Sequence, residues 1–197
     1  MRASHTMRWI ALYAAAALIG IASAWLWLTR VGISGVDAGV WRVNLLAGSV
    51  DADAHTRARI AIEALLALDR RETLYYTTTR DDADRPLQAQ CAYEITLRPP
   101  AARWWSITAY GADGFLFPNA HRRYSVGGEH VVPDADGRAT FHVGPSAASY
   151  PSSLWIQTSG SGPMRLTLRL YQPDAALQRS PKSLDPPHIL RSGPCRT

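Results

Sequence analysis

Lysine is nearly absent from this chain of 197 residues, which carries Lys182 beside 20 arginines and 16 acidic residues. The arginines are scattered, whereas proteins that bind nucleic acid cluster their basic residues, so the net charge of +5 does not indicate a nucleic-acid partner. Disorder is also excluded, because a hydrophobic fraction of 47% is ordinary for a folded protein. The length suits one domain, alone or with a targeting segment.

The chain also lacks the short motifs that mark common enzymes. It has no Gly-x-Ser-x-Gly nucleophile elbow, since Gly160-Ser161-Gly162 has a different spacing, and no phosphate loop or dinucleotide fingerprint. None of its six histidines forms an i, i+4 pair or joins a Cys/His cluster, so no metal and no other cofactor is expected. A metal site assembled from distant strands, as in cupins, stays open as an alternative.

One long apolar run lies near the N-terminus. Residues Trp9 to Leu28 form an uncharged stretch of 20 residues, which as a helix measures about 30 Å, the thickness of the hydrocarbon core of a bilayer. Arg2 and Arg8 precede this stretch and Arg30 follows it, so the N-terminus is expected to stay in the cytoplasm. We therefore predict a single span in the bacterial inner membrane, with the rest of the chain in the periplasm.

A cleaved signal peptide is the alternative to this anchor. Ala22-Ser23-Ala24 has the small-x-small form that signal peptidase accepts. Apolar residues continue through Leu28, beyond that cut, and therefore favour an uncleaved anchor. Both alternatives export the folded part of the chain.

Export changes the interpretation of the two cysteines. Cys91 lies in a predicted strand, and Cys195 lies almost at the end of the printed sequence. An oxidising compartment lets such a distant pair join, so we predict a disulfide that ties the tail to the sheet. Two thiols that never meet are the alternative, since sequence alone does not supply the distance between them.

The chain beyond the anchor segment at residues 1–30 divides into three parts. Residues 31–39 are rich in glycine and are predicted to be a linker. Residues 40–175 are predicted to form a β-rich domain. Residues 176–197 are rich in proline and are expected to extend over the surface.

The hydrophobic period inside the domain changes from helical to alternating. Residues 51–71 predict one helix, capped by Asp51 or Asp53, whose apolar stripe packs on a sheet and contains Ala58, Ala61, Leu65 and Leu68. Seven segments predict strands between turn-forming residues: 41–45, 73–80, 90–98, 104–110, 139–143, 154–158 and 164–171. The predicted fold is mainly β, an antiparallel β-sandwich of jelly-roll type with one packed α-helix.

Candidate ligand-binding residues come from three places. Arg57 lies in the opening turns of the helix, as either an anion clamp or a structural tie. Alternation along the strand points Trp105, Ile107 and Ala109 toward the core. Trp104 and Tyr110 then lie on the other, mixed face, which either stacks on sugars or lies under the helix. The loop that follows is our first choice for a ligand contact unless it is only a structural turn, and its candidates are Asn119, His121, Arg123 and Tyr124.

The ordered set of residues resembles the DUF1214 family of bacterial proteins. The resemblance covers about residues 40–175 and rests on Thr56-Arg57-Ala58, Tyr75-Tyr76, Arg103 to Tyr110, Asp113-Gly114-Phe115, Pro118-Asn119, Arg123-Tyr124-Ser125 and Leu168 to Pro173. It implies a β-sandwich of jelly-roll type but brings no activity and no catalytic residues. In longer relatives this domain follows a DUF1254 domain, which this chain is expected to lack.

These observations predict a membrane-anchored extracytoplasmic protein with a non-catalytic binding or structural role at the cell envelope. The expected partners are the membrane and an envelope glycan or lipid. One alternative is an envelope hydrolase or isomerase that uses loop carboxylates and histidine, among them Asp81, Asp113 and His121. The other alternative is a partner subunit of a separately encoded DUF1254 protein.

Overall fold

The protein forms two compact units. A computed structural model describes residues 2–32, 35–62, 67–119, 121–147 and 149–195. The first unit consists of Met1–Ile33 and Asp53–Leu65, and the second consists of Ser34–Ala52 and Leu66–Thr197. The described part of the first unit is helical, and all the described strands belong to the second unit.

Helix α1 (Arg2–Arg30) accounts for most of the first unit. Its segment His5–Arg30 is 26 residues long, and the protein buries none of the apolar window within it. The hydroxyl of Ser23, which lies inside the apolar run, donates to the Gly20 carbonyl at 2.9 Å and so needs no partner from outside the helix. The helix is therefore long and apolar enough to cross a membrane.

Helix α2 (Ala54–Ile62) is shorter than the helix predicted over 51–71. Asp53 caps it, because its Oδ1 accepts the Thr56 amide at 2.8 Å, and this hydrogen bond holds the pKa of the Asp53 carboxyl below its usual value. Residues 63–66, which include Leu65 of the predicted stripe, lie outside the described residues. Leu68 belongs to no helix and is 42% exposed. The packing of this helix on a sheet stays a prediction.

Within the first unit, α2 contacts the C-terminal end of α1. Arg59 Nη1 donates to the Leu28 carbonyl at 3.1 Å, and His55 Nε2 lies 3.2 Å from the Val31 carbonyl. The His55 ring also packs on Trp27, with 4.2 Å between ring centroids. The last carbonyls of a helix have no partner inside the helix, so these contacts satisfy part of the end of α1.

The second unit consists of two β-sheets. The described residues form ten strands: β1 (Val36–Ala38), β2 (Trp41–Val43), β3 (Thr73–Thr78), β4 (Tyr93–Leu97), β5 (Ala102–Gly111), β6 (Ser125–Gly127), β7 (Ala139–Gly144), β8 (Trp155–Gln157), β9 (Met164–Pro173) and β10 (His188–Arg191). The larger sheet has the order β1-β2-β3-β9-β5-β6, and the smaller has the order β10-β4-β7-β8. Among these strands β7 and β8 are parallel and every other neighbouring pair is antiparallel, so the antiparallel prediction is wrong at this one pair. Neither sheet closes on itself.

Both sheets contribute to one buried hydrophobic cluster. Leu74 of β3, Ile95 of β4 and Phe141 of β7 are among its members, and none of the three is more than 1% exposed. Alternating side chains produce this core, because every second residue of a strand points to the same face. The predicted core face of β5 is confirmed, since the cluster contains Trp105, Ile107 and Ala109.

The seven strands predicted from alternation are all present, with ends shifted by at most three residues. Residues 31–39, predicted as a linker, contain β1, which pairs with β2 across a turn at Gly39 (φ +61°) and buries Ala38. Strand β6 lies just after the predicted loop. Both β1 and β6 have three residues, and the glycines around β1 and the polar loop before β6 hid them from prediction.

The segment 176–197 does not simply run over the surface as predicted. Helix α3 (Ala175–Arg179) buries Leu177, and β10 pairs with β4 and buries Ile189. Asp82 holds β10 in place, because its Oδ1 accepts the Ile189 amide at 3.1 Å and its Oδ2 lies 2.8 Å from His188 Nδ1. The predicted disulfide between Cys91 and Cys195 is present and ties this segment to the residues before β4.

Candidate functional site

The outer face of the larger sheet carries polar and aromatic side chains. Trp104 and Tyr110 of β5 lie on this face, opposite the core, as alternation predicts. The register of β5 with β9 places Tyr171 opposite Trp104. The two aromatic rings lie 4.9 Å apart and are inclined at 45°. The pairing of two distant strands thus assembles an aromatic pair on the surface of the sheet.

Arg169 of β9 organises the side chains next to this pair. Its Nη1 donates to Thr108 Oγ1 at 3.2 Å, its Nη2 donates to the Tyr110 hydroxyl at 2.7 Å, and the guanidinium lies 5.5 Å from the Tyr110 ring centroid. Burial raises the pKa of the Tyr171 hydroxyl, and the charge of Arg169 acts in the opposite direction. The Tyr171 phenol is therefore a neutral hydrogen-bonding group at neutral pH.

A cleft of about 430 Å³ opens beside the aromatic pair. Trp104 is 38% exposed, and its Nε1 donates to Glu129 Oε2 at 2.6 Å, which fixes the plane of the indole. Arg103 Nη1 donates to Gln172 Oε1 at 3.1 Å on the rim. The lining residues are Leu68, Glu72, Thr73, Arg103, Trp104, Tyr171 and Gln172.

The lining of this cleft suits a neutral polar ligand with an apolar face. Aromatic rings offer a flat apolar surface, and a few polar groups at its edge set the orientation of a bound molecule. Glu72, Arg103 and Gln172 supply a carboxylate, a guanidinium and an amide around the Trp104 ring. A saccharide matches this combination, because its C–H face stacks on indole while its hydroxyls donate to and accept from side chains.

The loop predicted to contact a ligand is built by its own hydrogen bonds. Asn119 Oδ1 accepts the His121 amide at 2.9 Å, and Asn119 Nδ2 donates to the Arg123 carbonyl. Asn119 therefore forms the turn, as in the structural alternative. Tyr124 is 37% exposed, and His121 contacts Trp155 of the smaller sheet with 5.8 Å between ring centroids. Within the described residues, these loop side chains do not line the aromatic cleft.

The other predicted candidates are not among the described residues that line the cleft. Arg57 is an exposed residue of α2 and belongs to the first unit. Of the loop groups considered for catalysis, the Asp113 carboxylate accepts the Phe115 amide at 3.0 Å, and the buried Asp81 carboxylate accepts two amides and the guanidinium of Arg85. Both carboxylates serve local turns. A ligand-binding role for Arg57 and the loop residues stays a prediction.

A second cleft of about 820 Å³ lies in the same unit and carries mixed charge. Arg70, Arg71 and Arg179 line it together with Asp51 and Asp69, and Arg71 pairs with Asp69 at 3.3 Å. Its lining contains no aromatic side chain. Across the part of the chain that the structure describes, no three His, Cys, Asp or Glu side chains group closely enough to hold a metal ion.

Tyr171 of the cleft and two neighbouring residues, Arg169 and Glu129, escaped prediction, although the sequence carried part of the signal. Alternation over β9 puts Arg169 and Tyr171 on the face opposite Leu168 and Leu170. Their pairing with β5 depends on sheet order, which alternation does not determine. Glu129 contacts Trp104 from beyond β6, and no local pattern indicates that contact.

These features define a β-rich domain of two sheets with an aromatic cleft, in a chain whose N-terminal helix is able to cross a membrane. Residues 72–175 match the family described as "Protein of unknown function (DUF1214)", and this match covers more than half of the chain, so the chain belongs to that family. The predicted resemblance is confirmed. Residues 40–71 of the predicted range lie outside the match.

The solved structures that are similar to this chain include two bacterial proteins. The VPA0106 protein from Vibrio parahaemolyticus aligns with a TM-score of 0.60 at 21% identity, over 74% of this chain and 37% of that protein. The chain thus spans less than two fifths of that relative, and the likeness concerns the fold alone. An uncharacterised protein from Burkholderia cenocepacia aligns over 59% of this chain and 27% of its own, at 14% identity and a TM-score of 0.36. No curated protein matches the chain.

Proposed function

We propose that this chain is a membrane-anchored, non-catalytic glycan-binding protein of the bacterial cell envelope. Helix α1 anchors it in the inner membrane with its N-terminus in the cytoplasm, and the second unit lies in the periplasm. The Trp104–Tyr171 cleft binds a saccharide. The single observation that carries the binding function is the half-exposed Trp104 ring, which Glu129 fixes beside Tyr171 at the edge of a polar cleft.

The distribution of charges and the cysteine pair support the location. Arg2 and Arg8 precede the apolar run and a single arginine follows it within α1, which favours a cytoplasmic N-terminus. The Cys91–Cys195 disulfide is of the kind that persists in oxidising compartments. The shared core of the two sheets supports a sandwich, and we include the jelly-roll topology in this proposal.

Trp104→Ala is expected to weaken glycan binding by about tenfold or more. Truncating a central aromatic side chain removes its stacking surface at a cost of about 1.4 kcal/mol or more, and that energy corresponds to a factor of ten. The measurement is co-sedimentation of the full chain, solubilised in detergent, with purified peptidoglycan sacculi over a range of sacculus concentrations.

Phe115→Ala is the matched control, because it removes an aromatic ring that is 72% exposed and lies outside the cleft. Its binding is expected to equal that of the wild type. Tyr124→Ala tests the predicted loop separately. If folded Trp104→Ala binds sacculi as well as the wild type does, the proposed site is wrong. If the sacculi bind neither protein, peptidoglycan is not the ligand.

The anchored state is tested by the intact mass of protein purified from membranes. We expect a mass that includes residues 1–24, because the apolar run extends past the candidate cleavage site at Ala24. Mass spectrometry of the detergent extract makes the measurement. A mature product that begins at Trp25 would show instead that the segment is a signal peptide.

A further inference from the structure

His142 is a buried imidazole on the outer face of the smaller sheet. It lies in β7 between the core residues Phe141 and Val143, so its side chain points away from the core, yet it is only 2% exposed. The ring of Tyr150 covers it, with 5.2 Å between centroids and 14° between planes. A stacked phenol therefore separates this histidine from solvent.

The His142 ring is poor in hydrogen bonds. Neither of its nitrogens has a partner of ordinary geometry among the described residues. Burial lowers the pKa of this imidazole, while the Ser146 backbone and the Glu94 carboxylate act in the opposite direction. A buried imidazole without a well-formed hydrogen bond calls for a physical explanation. A neutral ring that stacks on Tyr150 provides one at neutral pH.

Glu94 binds the Tyr150 hydroxyl and is the cross-strand neighbour of His142. It lies directly opposite His142 in the pairing of β4 with β7, and its Oε2 accepts the Tyr150 hydroxyl at 2.6 Å. Burial and this carboxylate raise the pKa of Tyr150 to about 12, so the phenol stays protonated and donates. From β8, the residue opposite His142 is the uncharged Trp155. Within the described contacts, Glu94 is therefore the charged group that faces His142.

We propose that His142, Glu94 and Tyr150 form an acid-sensitive latch on the outer face of the smaller sheet. At neutral pH, neutral His142 leaves Glu94 free to hold the Tyr150 hydroxyl, and the phenol ring stays closed over the imidazole. A proton on His142 creates a cation beside Glu94. The carboxylate turns from the phenol to the imidazolium, the Tyr150–Glu94 hydrogen bond breaks, and the ring is released.

The direction of the pH dependence follows from linkage. An exposed histidine has a pKa of about 6.5, whereas burial lowers the pKa of His142 in the closed state. The open state therefore binds a proton more readily than the closed state. The latch is stable above about pH 6.5 and loses stability as the pH falls through the lowered pKa of the closed state.

Hydrogen exchange of the full chain in detergent micelles tests the latch. Mass spectrometry follows the peptide that contains Tyr150 at pH 7.5 and pH 5.0, with rates corrected for the intrinsic effect of pH. In the wild type, acid is expected to lower protection several-fold, and by no more than about tenfold per pH unit, the limit for one titrating proton. His142→Phe keeps an aromatic ring that takes up no proton, so its protection is expected to be the same at both pH values.

His121→Phe is the matched control, because His121 is a second histidine near the smaller sheet, where it contacts Trp155, whereas the ring that stacks on Tyr150 is His142. It is expected to keep the acid response of the wild type.

Glu94→Gln supplies an independent variant if His142→Phe does not fold. Glutamine keeps an acceptor for the Tyr150 hydroxyl but lacks the negative charge, so this variant is expected to show a weaker acid response. A wild type that is equally protected at both pH values, or an undiminished acid response in the folded His142→Phe or Glu94→Gln variant, overturns the latch.

Discussion

Replacing Cys195 with alanine is expected to lower the free energy of unfolding of the second unit by about 4 kcal/mol. The disulfide joins residues separated by 104 positions, and the chain-entropy estimate for a loop of about 100 residues is about 4.7 kcal/mol. Cys91 is fully buried, so its freed thiol is expected to remain in the core as a small apolar side chain. The melting temperature is expected to fall by about 10 to 15 °C.

Guanidinium chloride unfolding, followed by tryptophan fluorescence in detergent, measures this loss. Reductant supplies an internal control: it is expected to destabilise the wild type by the same amount as the substitution and to leave Cys195→Ala unchanged. Equal unfolding midpoints for the oxidised wild type and Cys195→Ala would mean that the bridge adds nothing to stability.

Asp81→Asn is expected to destabilise the second unit by about 3 kcal/mol. The Asp81 side chain is fully buried, its Oδ1 accepts the amides of Ala83 and Arg85, and its Oδ2 lies 2.9 Å from both Nε and Nη2 of Arg85. Arg191 Nε lies 3.9 Å from the same oxygen. Asparagine fills the same volume but removes the charge that faces two guanidinium groups, and breaking a buried ion pair costs about 3 to 5 kcal/mol. Because the Arg85 side chain is half exposed, solvent weakens its pairing with Asp81, and we expect a loss of stability at the lower end of this range.

Asp84→Asn is the matched control in the same turn. Its carboxylate pairs with Arg80 at 3.3 Å, both side chains are more than half exposed, and such a pair contributes about 1 kcal/mol or less. Asparagine also tolerates the left-handed backbone of residue 84 (φ 59°), so the control tests charge alone. The two unfolding midpoints are compared in guanidinium chloride. A loss at Asp81 no larger than the loss at Asp84 would contradict a structural role for the buried pair.

The strands were predictable because a half-buried strand leaves a period of two in its sequence. Strand β4 shows this period, because its five residues alternate between buried and partly buried positions. Strand β3 is buried on both faces and was indicated by its β-branched and aromatic residues instead. Short strands were predictable only where their composition indicated a strand: β2 and β8 have three residues each, and both contain tryptophan and a β-branched residue. β1 lies among glycines and β10 follows two prolines, so both escaped prediction. The proline residues before β10 also indicated an extension, whereas hydrogen bonds from Asp82 and β4 make that segment a strand.

The candidate site was predictable only in part. Alternation identified the outward position of Trp104, because that depends on one strand alone. Its neighbours Tyr171 and Glu129 come from elsewhere in the chain, and sheet order and a loop bring them together. The polar loop looked like a binding loop, yet the side chain of Asn119 is used to build its turn. Composition reports which groups are available, and only tertiary pairing decides which of them remain free for a ligand.

The pairing of β4 with β10 has a consequence for biosynthesis. A chain is made from its N-terminus, so β4 is complete long before residues 188–191 exist to cover its edge. Until then the edge exposes unpaired amides and carbonyls, which are a template for association with other chains. The disulfide partner of Cys91 is made later still. A product interrupted before residue 188 would carry both an open sheet edge and an unpaired thiol, two chemical marks that distinguish an unfinished molecule from a finished one.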